Sequence, residues 1–544
     1  MIEVNDIGEE GRSGRSHIWE HCRIAFPIVC SFVMRKSVDV VSVIAVGHLG
    51  AHYLAAAGIA SVTANVTGNS MIMGLSGALS TLCTQAYGAR NFKEMNLALQ
   101  RSLLILSVFV CIPVTILWVF SAEIMIALGQ SVAIAVSASH YLWCMIPGLW
   151  ALSASACIQQ WLFAQSQTRP VALITLILAL IHPMWIYLYI HVLEVGYLGA
   201  AIAISTTKIL ELISLVLYVN VFSSIAVDAE STWYMASFAD WGPFLRLGIP
   251  SLLLMSEWWA SEILIFMAGS LPSPPSPDVQ VSAMSIYQNM LSLAFMMPAG
   301  FREAASVLVG NALGGGNAAA AQHSAVVAPS LAFGSSTCIS IVLLSFSHLW
   351  GQIFTTDAAV VQLVSRLVPI MSLYVVADAV QTTLTGVMKG TGKQYVASPI
   401  VLFAYYVVGL PISAYLSGKL NWLFDGRGSG SGSRGPHMGV VGLCIGILVA
   451  TATHMLCLAV AVYGFTDWGA EVDNAALRLS SLTSDPTEGI STRKIGTKGR
   501  RGADEDDTTG KGEYELVETS SFSTHGDDSM GRDQQNEMDE YSTA

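Results

Sequence analysis

The stretch Ile249-Pro-Ser-Leu-Leu-Leu-Met-Ser-Glu257-Trp-Trp-Ala-Ser-Glu262-Ile-Leu-Ile-Phe-Met-Ala-Gly269 decides the fold of this 544-residue chain. It can span a bilayer, because a helix rises 1.5 Å per residue and one span needs about 20 mostly apolar residues. Glu257 and Glu262 nevertheless lie near its midpoint, and an ionised carboxylate facing lipid costs roughly 2–3 kcal/mol or more. We therefore expect both side chains to face protein or water. Five positions place them about 140° apart on a helix, which predicts different surroundings and different roles.

The composition is that of a polytopic membrane protein. The chain is 53% hydrophobic and 12% charged, with a mean hydropathy of +0.56, which is too apolar for a soluble domain. Most of its net charge of −12 belongs to residues 466–544, which hold 18 Asp and Glu against 8 Lys and Arg. We expect no nucleic-acid partner and no cofactor. The nine cysteines fall in or beside apolar runs, which predicts neither a disulfide framework nor a metal cluster.

Twelve apolar windows predict an all-α fold with twelve membrane-spanning helices. Each window is long enough for one span, and polar connections separate them. The windows lie near residues 24–47, 53–82, 97–120, 134–163, 170–192, 197–222, 246–270, 281–310, 324–348, 360–388, 396–417 and 439–465.

Charges in the connections predict the orientation of these spans. Four opposite connections, at 121–131, 191–197, 272–279 and 349–358, contain no Lys or Arg. The alternate connections carry basic residues, namely Arg90, Lys93, Arg169, Arg246, Lys389 and Lys393. Because basic loops stay in the cytoplasm, both termini are predicted to be cytoplasmic. The connection 418–438 is the exception, since it places Lys419, Arg427 and Arg434 on the outer side.

The sequence contains an internal repeat. Gln85-Ala-Tyr-Gly-Ala-Arg-Asn91 matches Asn311-Ala-Leu-Gly-Gly-Gly-Asn317 at an offset of 226 residues, and Pro27 matches Pro250 at an offset of 223. Two halves of six spans with the same order and orientation are parallel repeats. Such halves place a binding site between them near the bilayer midplane.

The repeat pairs the two glutamates with different residues. Glu262 corresponds to Asp39, whereas Glu257 corresponds to Met34 and has no charged counterpart in the first half. The symmetry of the fold therefore does not require a charge at Glu257.

These boundaries divide the chain into five parts. They are a cytoplasmic N-terminal segment (1–23), an N-lobe (24–222), a cytoplasmic linker (223–245), a C-lobe (246–465) and a disordered acidic cytoplasmic tail (466–544). Within the C-lobe, residues 418–438 form a Gly- and Ser-rich insertion, which accounts for the extra length of that half.

Several motifs in this order resemble the eukaryotic branch of the multidrug and toxic compound extrusion (MATE) family. They span about residues 20–465 and are Val46-Gly-His-Leu-Gly50, Ala78-Leu-Ser-Thr-Leu-Cys-Thr-Gln-Ala-Tyr-Gly-Ala89, Pro250-Ser with Glu257-Trp-Trp and Glu262, Val309-Gly-Asn-Ala-Leu-Gly314, Gly386-Val-Met-Lys-Gly-Thr-Gly392 and Tyr405-Tyr-x-x-Gly-x-Pro411. The resemblance implies an antiporter that exports organic cations or other small amphiphiles against proton entry by alternating access.

The resemblance also implies roles for individual residues. The essential glutamate falls on Glu257, its partner acid on Asp378, and a stacking aromatic residue on Trp258. Glu262 is a further candidate for proton or cation coupling. The other expected substrate contacts are Asn65, Gln288, Gln381, Tyr405 and Tyr406.

One glutamate can couple the two fluxes because its two charge states prefer different partners. Apolar surroundings disfavour the ionised carboxyl, and a nearby cation favours it, so proton and cationic substrate compete. Asp39 is a possible ion site in the N-lobe, but it also lies within helical reach of Arg35 and Lys36, and local pairing is the alternative. His48 and His52 are spaced for a metal pair, yet no third ligand converges on them, and we predict no metal site.

Other functions fit the residues less well. A lipid-linked flippase of the same wider superfamily would require a basic central cavity, and a receptor or membrane enzyme lacks convergent catalytic spacing. We expect a monomer in the plasma membrane or in a vacuolar or endosomal membrane. The sequence leaves open the substrate, the choice between protons and sodium, and which of these membranes holds the protein.

Overall fold

The computed structural model describes residues 14–222, 235–269, 271, 276–355, 357–418 and 438–483, and all regular structure within them is helical. The first half contains α1 (Gly14–Gly47), α2 (Ala51–Ala64, the π turn Asn65–Asn69 and Ser70–Gly88), α3 (Phe92–Val119), α4 (Val132–Ala164), α5 (Thr168–Val192) and α6 (Leu198–Phe222).

The second half repeats this order. It contains α7 (Gly242–Leu253 and Ser256–Ala268), α8 (Pro277–Ala294 and Met296–Gly314), α9 (Ala318–Ser345), α10 (Ala358–Thr391), α11 (Gln394–Leu416), α12 (Val440–Gly464) and one more helix, α13 (Trp468–Thr483). Helices α1–α12 confirm the predicted fold of twelve membrane helices in two parallel repeats.

Two of the predicted boundaries differ from the helices in the structure. Helix α1 begins at Gly14, so the last ten residues of the predicted segment 1–23 are helical. The tail predicted to be disordered from residue 466 instead begins with α13, whose buried Ala475 and Leu479 pack against the lobes. Hydropathy windows do not detect the start of α1 or helix α13, because a window scores high only over apolar residues such as those in the middle of a membrane helix. Residues 223–234, 419–437 and 484–544 lie outside the described part of the chain.

Each half forms a lobe with its own apolar core. Almost all of the first core comes from residues 24–247, and all of the second comes from residues 254–475. Apolar surface brings no net gain between helices in lipid, so packing and interhelical hydrogen bonds hold such bundles together.

The two lobes meet at one end of the molecule through the repeated motif. A methyl group at Gly88 would overlap the carbonyl of Asn311, and one at Gly314 would overlap the carbonyl of Gln85. Because Gln85 and Gly88 are the repeat equivalents of Asn311 and Gly314, the contact is reciprocal, as a two-fold relation between lobes requires. Only glycine permits backbones to approach this closely.

Hydrogen bonds reinforce the same end, which we call the closed end. Thr81 Oγ1 donates to the Lys389 carbonyl at 2.6 Å, and Gln85 Nε2 donates to the Gly390 carbonyl at 3.0 Å. Helix α13 adds a further link, since Arg478 Nη1 donates to Gln85 Oε1 at 3.3 Å. The lobes are therefore joined at the ends of α2, α8 and α10.

Candidate functional site

Away from the closed end the lobes separate around a cleft of about 500 Å³. Four helices line it: α1 and α2 from the N-lobe, and α7 and α8 from the C-lobe. Within the described residues, eight of the twelve helices are long and apolar enough to cross a membrane by length and composition, and these four are the remainder. Helices that face a cavity can carry charges and breaks that lipid would not tolerate.

Two of the lining helices are interrupted beside the cleft. In α7 the first α-helical segment ends at Leu253. The backbone N–H groups of Met255 and Trp258 then donate to carbonyls three residues earlier, at 2.9 and 3.1 Å, instead of four residues earlier as in an α-helix. In α8 the interruption is at Phe295. Pro250 lies before the break in α7, but the backbone hydrogen bond that it cannot donate would go to the Arg246 carbonyl, one turn earlier in the helix.

The two glutamates of α7 face different spaces, as their spacing predicts. Glu262 and Asp39 line the cleft, one from each lobe. Glu257 lines a small pocket inside the C-lobe with Asp378 and Tyr374. This pocket has a volume of about 20 Å³, which is room for about one water molecule.

Glu257 and Asp378 are joined by the Gln381 amide. Gln381 Nε2 donates to Glu257 Oε2 at 3.2 Å and to Asp378 Oδ1 at 3.0 Å. The Glu257 side chain is 15% exposed, and Asp378 is buried. The sequence assigned Gln381 to the substrate, but its amide lies between the two acids and does not line either cavity.

His454 completes this group and was not singled out from the sequence. Its Nδ1 lies 3.7 Å from Glu257 Oε2, and its side chain is only 1% exposed. Both ring nitrogens are buried and have no hydrogen bond to any residue that the structure describes. A histidine in the middle of the last apolar span is the signal that could have revealed it, because ionisable residues inside a membrane are usually functional.

The pocket and the cleft share part of their lining. Trp258, Gln288, Ser292 and Phe295 belong to both. The ring centroids of Trp258 and Phe295 lie 4.8 Å apart in an edge-to-face arrangement. Both rings line the pocket as well as the cleft. Trp258 and Gln288 therefore line the cleft next to the acids, and their contact with substrate stays a prediction.

Asn65 also lines the cleft, whereas the two tyrosines do not. Asn65 Oδ1 accepts a 2.7 Å hydrogen bond from Asn69 within the π turn of α2. Tyr405 is buried and its hydroxyl pairs with Thr451 at 3.0 Å, while the Tyr406 hydroxyl donates to the Ser256 carbonyl at 3.0 Å. Both hydroxyls are therefore hydrogen-bonded inside the C-lobe, and contact of these tyrosines with substrate stays a prediction.

The N-lobe wall contains a charge network that the sequence did not predict. Arg35 Nη2 donates to Glu211 Oε1 at 2.7 Å, so Arg35 pairs with α6 and not locally with Asp39. Gln159 and Thr175 donate to the same oxygen at 3.3 and 3.4 Å. Local sequence patterns cannot predict this partner, because Glu211 lies 176 residues from Arg35 in the chain.

Comparison with known proteins agrees with this architecture. The MatE family model matches residues 27–188 and 251–415, one segment in each lobe. Protein DETOXIFICATION 16 of Arabidopsis thaliana is 31% identical over 490 residues, covering 90% of this chain and 96% of that protein. Protein DETOXIFICATION 10 of the same plant is 32% identical over 457 residues, covering 84% and 89%.

Solved structures lead to the same family. The crystal structure of the eukaryotic MATE transporter AtDTX14 superposes with a TM-score of 0.78 at 29% identity, covering 86% of this chain and 99% of that chain. An outward-facing multidrug resistance MATE transporter of the MOP superfamily shares the fold, with a TM-score of 0.70 at 16% identity over 87% of this chain and 99% of that chain. With matches in both lobes and this shared twelve-helix fold, the chain belongs to the MatE family of multidrug and toxic compound extrusion transporters.

Proposed function

We propose that this transporter is a secondary antiporter that exports organic cations or other small amphiphilic molecules in exchange for protons. The observation that carries the proposal is the acid pair Glu257 and Asp378, bridged by one amide in a pocket next to the cleft. Two carboxylates this close disfavour a double negative charge in a poorly hydrated site, so the pair can accept a proton or a cation.

The arrangement of the lobes supports alternating access. The cleft is bounded at one end by the reciprocal contacts of Gly88 and Gly314, which lie beside the loops that carry Arg90 and Lys393. If these basic loops are cytoplasmic, the cleft is open to the outside. Export then requires the lobes to separate at the glycine contacts and to close at the other end.

Changes at the acid pair can reach the cleft through α7. Glu257 lies two residues after the break at Leu254–Met255, and Trp258 and Phe295 face both the pocket and the cleft. The Tyr406 hydroxyl binds the Ser256 carbonyl at the same place. A proton or cation that alters the charge at Glu257 therefore acts on an interrupted segment, which bends at lower cost than a continuous helix.

Transport by purified protein in proteoliposomes tests this function. Uptake of a fluorescent amphiphile is measured under an imposed pH gradient, and in parallel under a sodium gradient at constant pH. We expect the pH gradient to drive uptake and the sodium gradient to have little effect. The opposite result would assign sodium as the coupling ion, and no response to either gradient would contradict antiport.

A further inference from the structure

We infer that the cleft selects small amphiphilic molecules that carry an acidic group on an aromatic body, and that Lys36 binds the acidic group. This inference rests on the proposed export function and narrows its substrate class. It comes from the difference between the two walls of the cleft.

The repeat makes this difference easy to see. With the 223-residue offset that relates Pro27 to Pro250, the acids of the two walls correspond, and Asp39 is the counterpart of Glu262. The residues before these acids differ in chemistry, since Arg35 and Lys36 of α1 are the repeat equivalents of Trp258 and Trp259 of α7. All six of these residues line the cleft, namely Arg35, Lys36, Asp39, Trp258, Trp259 and Glu262.

Bases outnumber acids around the N-lobe wall. Arg35 is paired with Glu211 at 2.7 Å. Asp39 forms no ion pair with a described residue, although the charges of Lys208, Lys36 and Arg35 all act on it. Three bases therefore share two acids, and one positive charge is left over.

Among the described residues, neither Lys36 nor Lys208 has an acceptor within hydrogen-bonding or ion-pair distance of its ammonium group. Of these two lysines, Lys36 lines the cleft and Lys208 does not. A cation inside a membrane helix is costly and commonly marks a substrate or ion pathway. An anionic group entering the cleft could supply the missing partner, and hydrogen bonds to charged groups are among the stronger ones in proteins.

The opposite wall suits an aromatic body. Trp258 and Trp259 present large apolar surfaces, and Trp259 Nε1 donates to Ser70 Oγ of the N-lobe at 3.4 Å, which restrains that ring. The cleft volume of about 500 Å³ lies in the range of pockets that hold drug-sized ligands. A ligand that spans the cleft would place its ring system against α7 and its acidic group against α1.

Two matched dyes test the inference. Rhodamine 110 carries a free carboxylate, and rhodamine 123 is its methyl ester, so the pair differs only in the acidic group. Equilibrium binding to the purified full-length protein is measured by fluorescence polarisation, without any gradient. We expect wild type to prefer rhodamine 110, and Lys36→Gln to weaken rhodamine 110 binding about tenfold or more while leaving rhodamine 123 nearly unchanged.

Three control variants separate the lysine from general effects. Lys36→Arg should retain the preference for rhodamine 110, and Arg169→Gln, which removes an exposed base outside the cleft, should change neither affinity. Trp259→Ala should weaken both dyes. Size-exclusion elution and thermal unfolding establish that each variant is folded.

Other outcomes would reject the inference. Equal loss of both dyes in Lys36→Gln, no loss of either, or a wild-type preference for the ester that the variant retains would each contradict it. Because binding is measured without a gradient, failure of proton coupling would leave this result standing. If export were driven by protons but dye binding did not depend on the acidic group, the inference would be contradicted and the proposed function would stand.

Discussion

Helices α1 and α7 are repeat equivalents that differ in continuity and in charge. Helix α1 runs unbroken over 34 residues from Gly14 to Gly47, with Pro27 inside it. Helix α7 has the equivalent Pro250 but is interrupted at Leu254–Met255. A proline at the same place therefore does not by itself explain the break.

The packing around the two helices is equivalent at this place. A methyl group at Gly300 of α8 would overlap Val29 of α1, and a methyl group at the repeat equivalent Gly74 of α2 would overlap Leu252 of α7. Phe32 and Met255, which the repeat also pairs, both line the cleft. Neither the shared proline nor these equivalent neighbours therefore explain why α7 is interrupted and α1 is not.

The largest expected effect comes from neutralising the acid that has no counterpart in the N-lobe. Glu257→Gln keeps the shape of the side chain and fixes a neutral state, so we expect normal folding and loss of export driven by a pH gradient. Asp378→Asn should behave similarly, because Gln381 joins the two acids. The measurement is dye uptake into proteoliposomes. Met34→Gln changes the equivalent position of α1 and serves as the control. Wild-type rates in Glu257→Gln would remove the acid pair from the mechanism.

The glycine contacts test whether the closed end is symmetrical. Gly88→Ala and Gly314→Ala each place a methyl group on a backbone carbonyl of the other lobe, and overpacking of this kind costs about 1–3 kcal/mol. We expect both variants to weaken the closed state by similar amounts and to slow export. Cross-linking rates between cysteines introduced on either side of this contact report the change. Gly334→Ala, where a methyl group would meet nothing within 4 Å, is the control. A strong effect at only one of the two sites would refute the reciprocal contact.

The symmetrical acids of the cleft should have smaller and comparable effects. Asp39→Asn and Glu262→Gln each remove one charge from equivalent positions that line the cleft. We expect several-fold changes in dye affinity and preserved pH coupling, since neither residue belongs to the bridged acid pair. Affinity and the pH dependence of uptake are measured together for both variants. If Glu262→Gln abolished the pH response as Glu257→Gln should, the separation of roles within α7 would fail.

The smallest effect is expected from α13, the helix that follows the second repeat. Helix α13 joins the lobes through Arg478 to Gln85 at 3.3 Å and through Glu471 to Lys393 at 2.9 Å. Truncation after Phe465 removes both contacts, in which Gln85 and Glu471 are buried, but it should change the export rate only slightly because α13 lines neither the cleft nor the acid pocket. Truncation after Thr483 keeps them and should transport like wild type. Thermal unfolding and uptake compare the two. Loss of transport in the longer truncated protein would give residues 484–544 a role in turnover.

Much of this molecule follows from the sequence because its determinants are local or periodic. Apolar windows of about 20 residues predicted the twelve helices, since the bilayer fixes the length of a span. The match of Gln85–Asn91 with Asn311–Asn317 predicted the parallel repeat. The angular separation of Glu257 and Glu262 predicted their different surroundings, because the turn of a helix is constant.

Only the tertiary structure decided which distant residues meet. Glu211 lies 176 residues from Arg35, and Gln381 lies 124 residues from Glu257, yet each pair is within hydrogen-bonding distance. His454 joins the acids from α12, whereas Tyr405 and Tyr406 do not line the cleft. The sequence determined which helices form and which charges need partners, because both depend on local composition and on the membrane as solvent. The packing of the helices determined which partners these charges have. Several helices carry polar groups that could pair with each charge, and the three-dimensional distances determine which of them do.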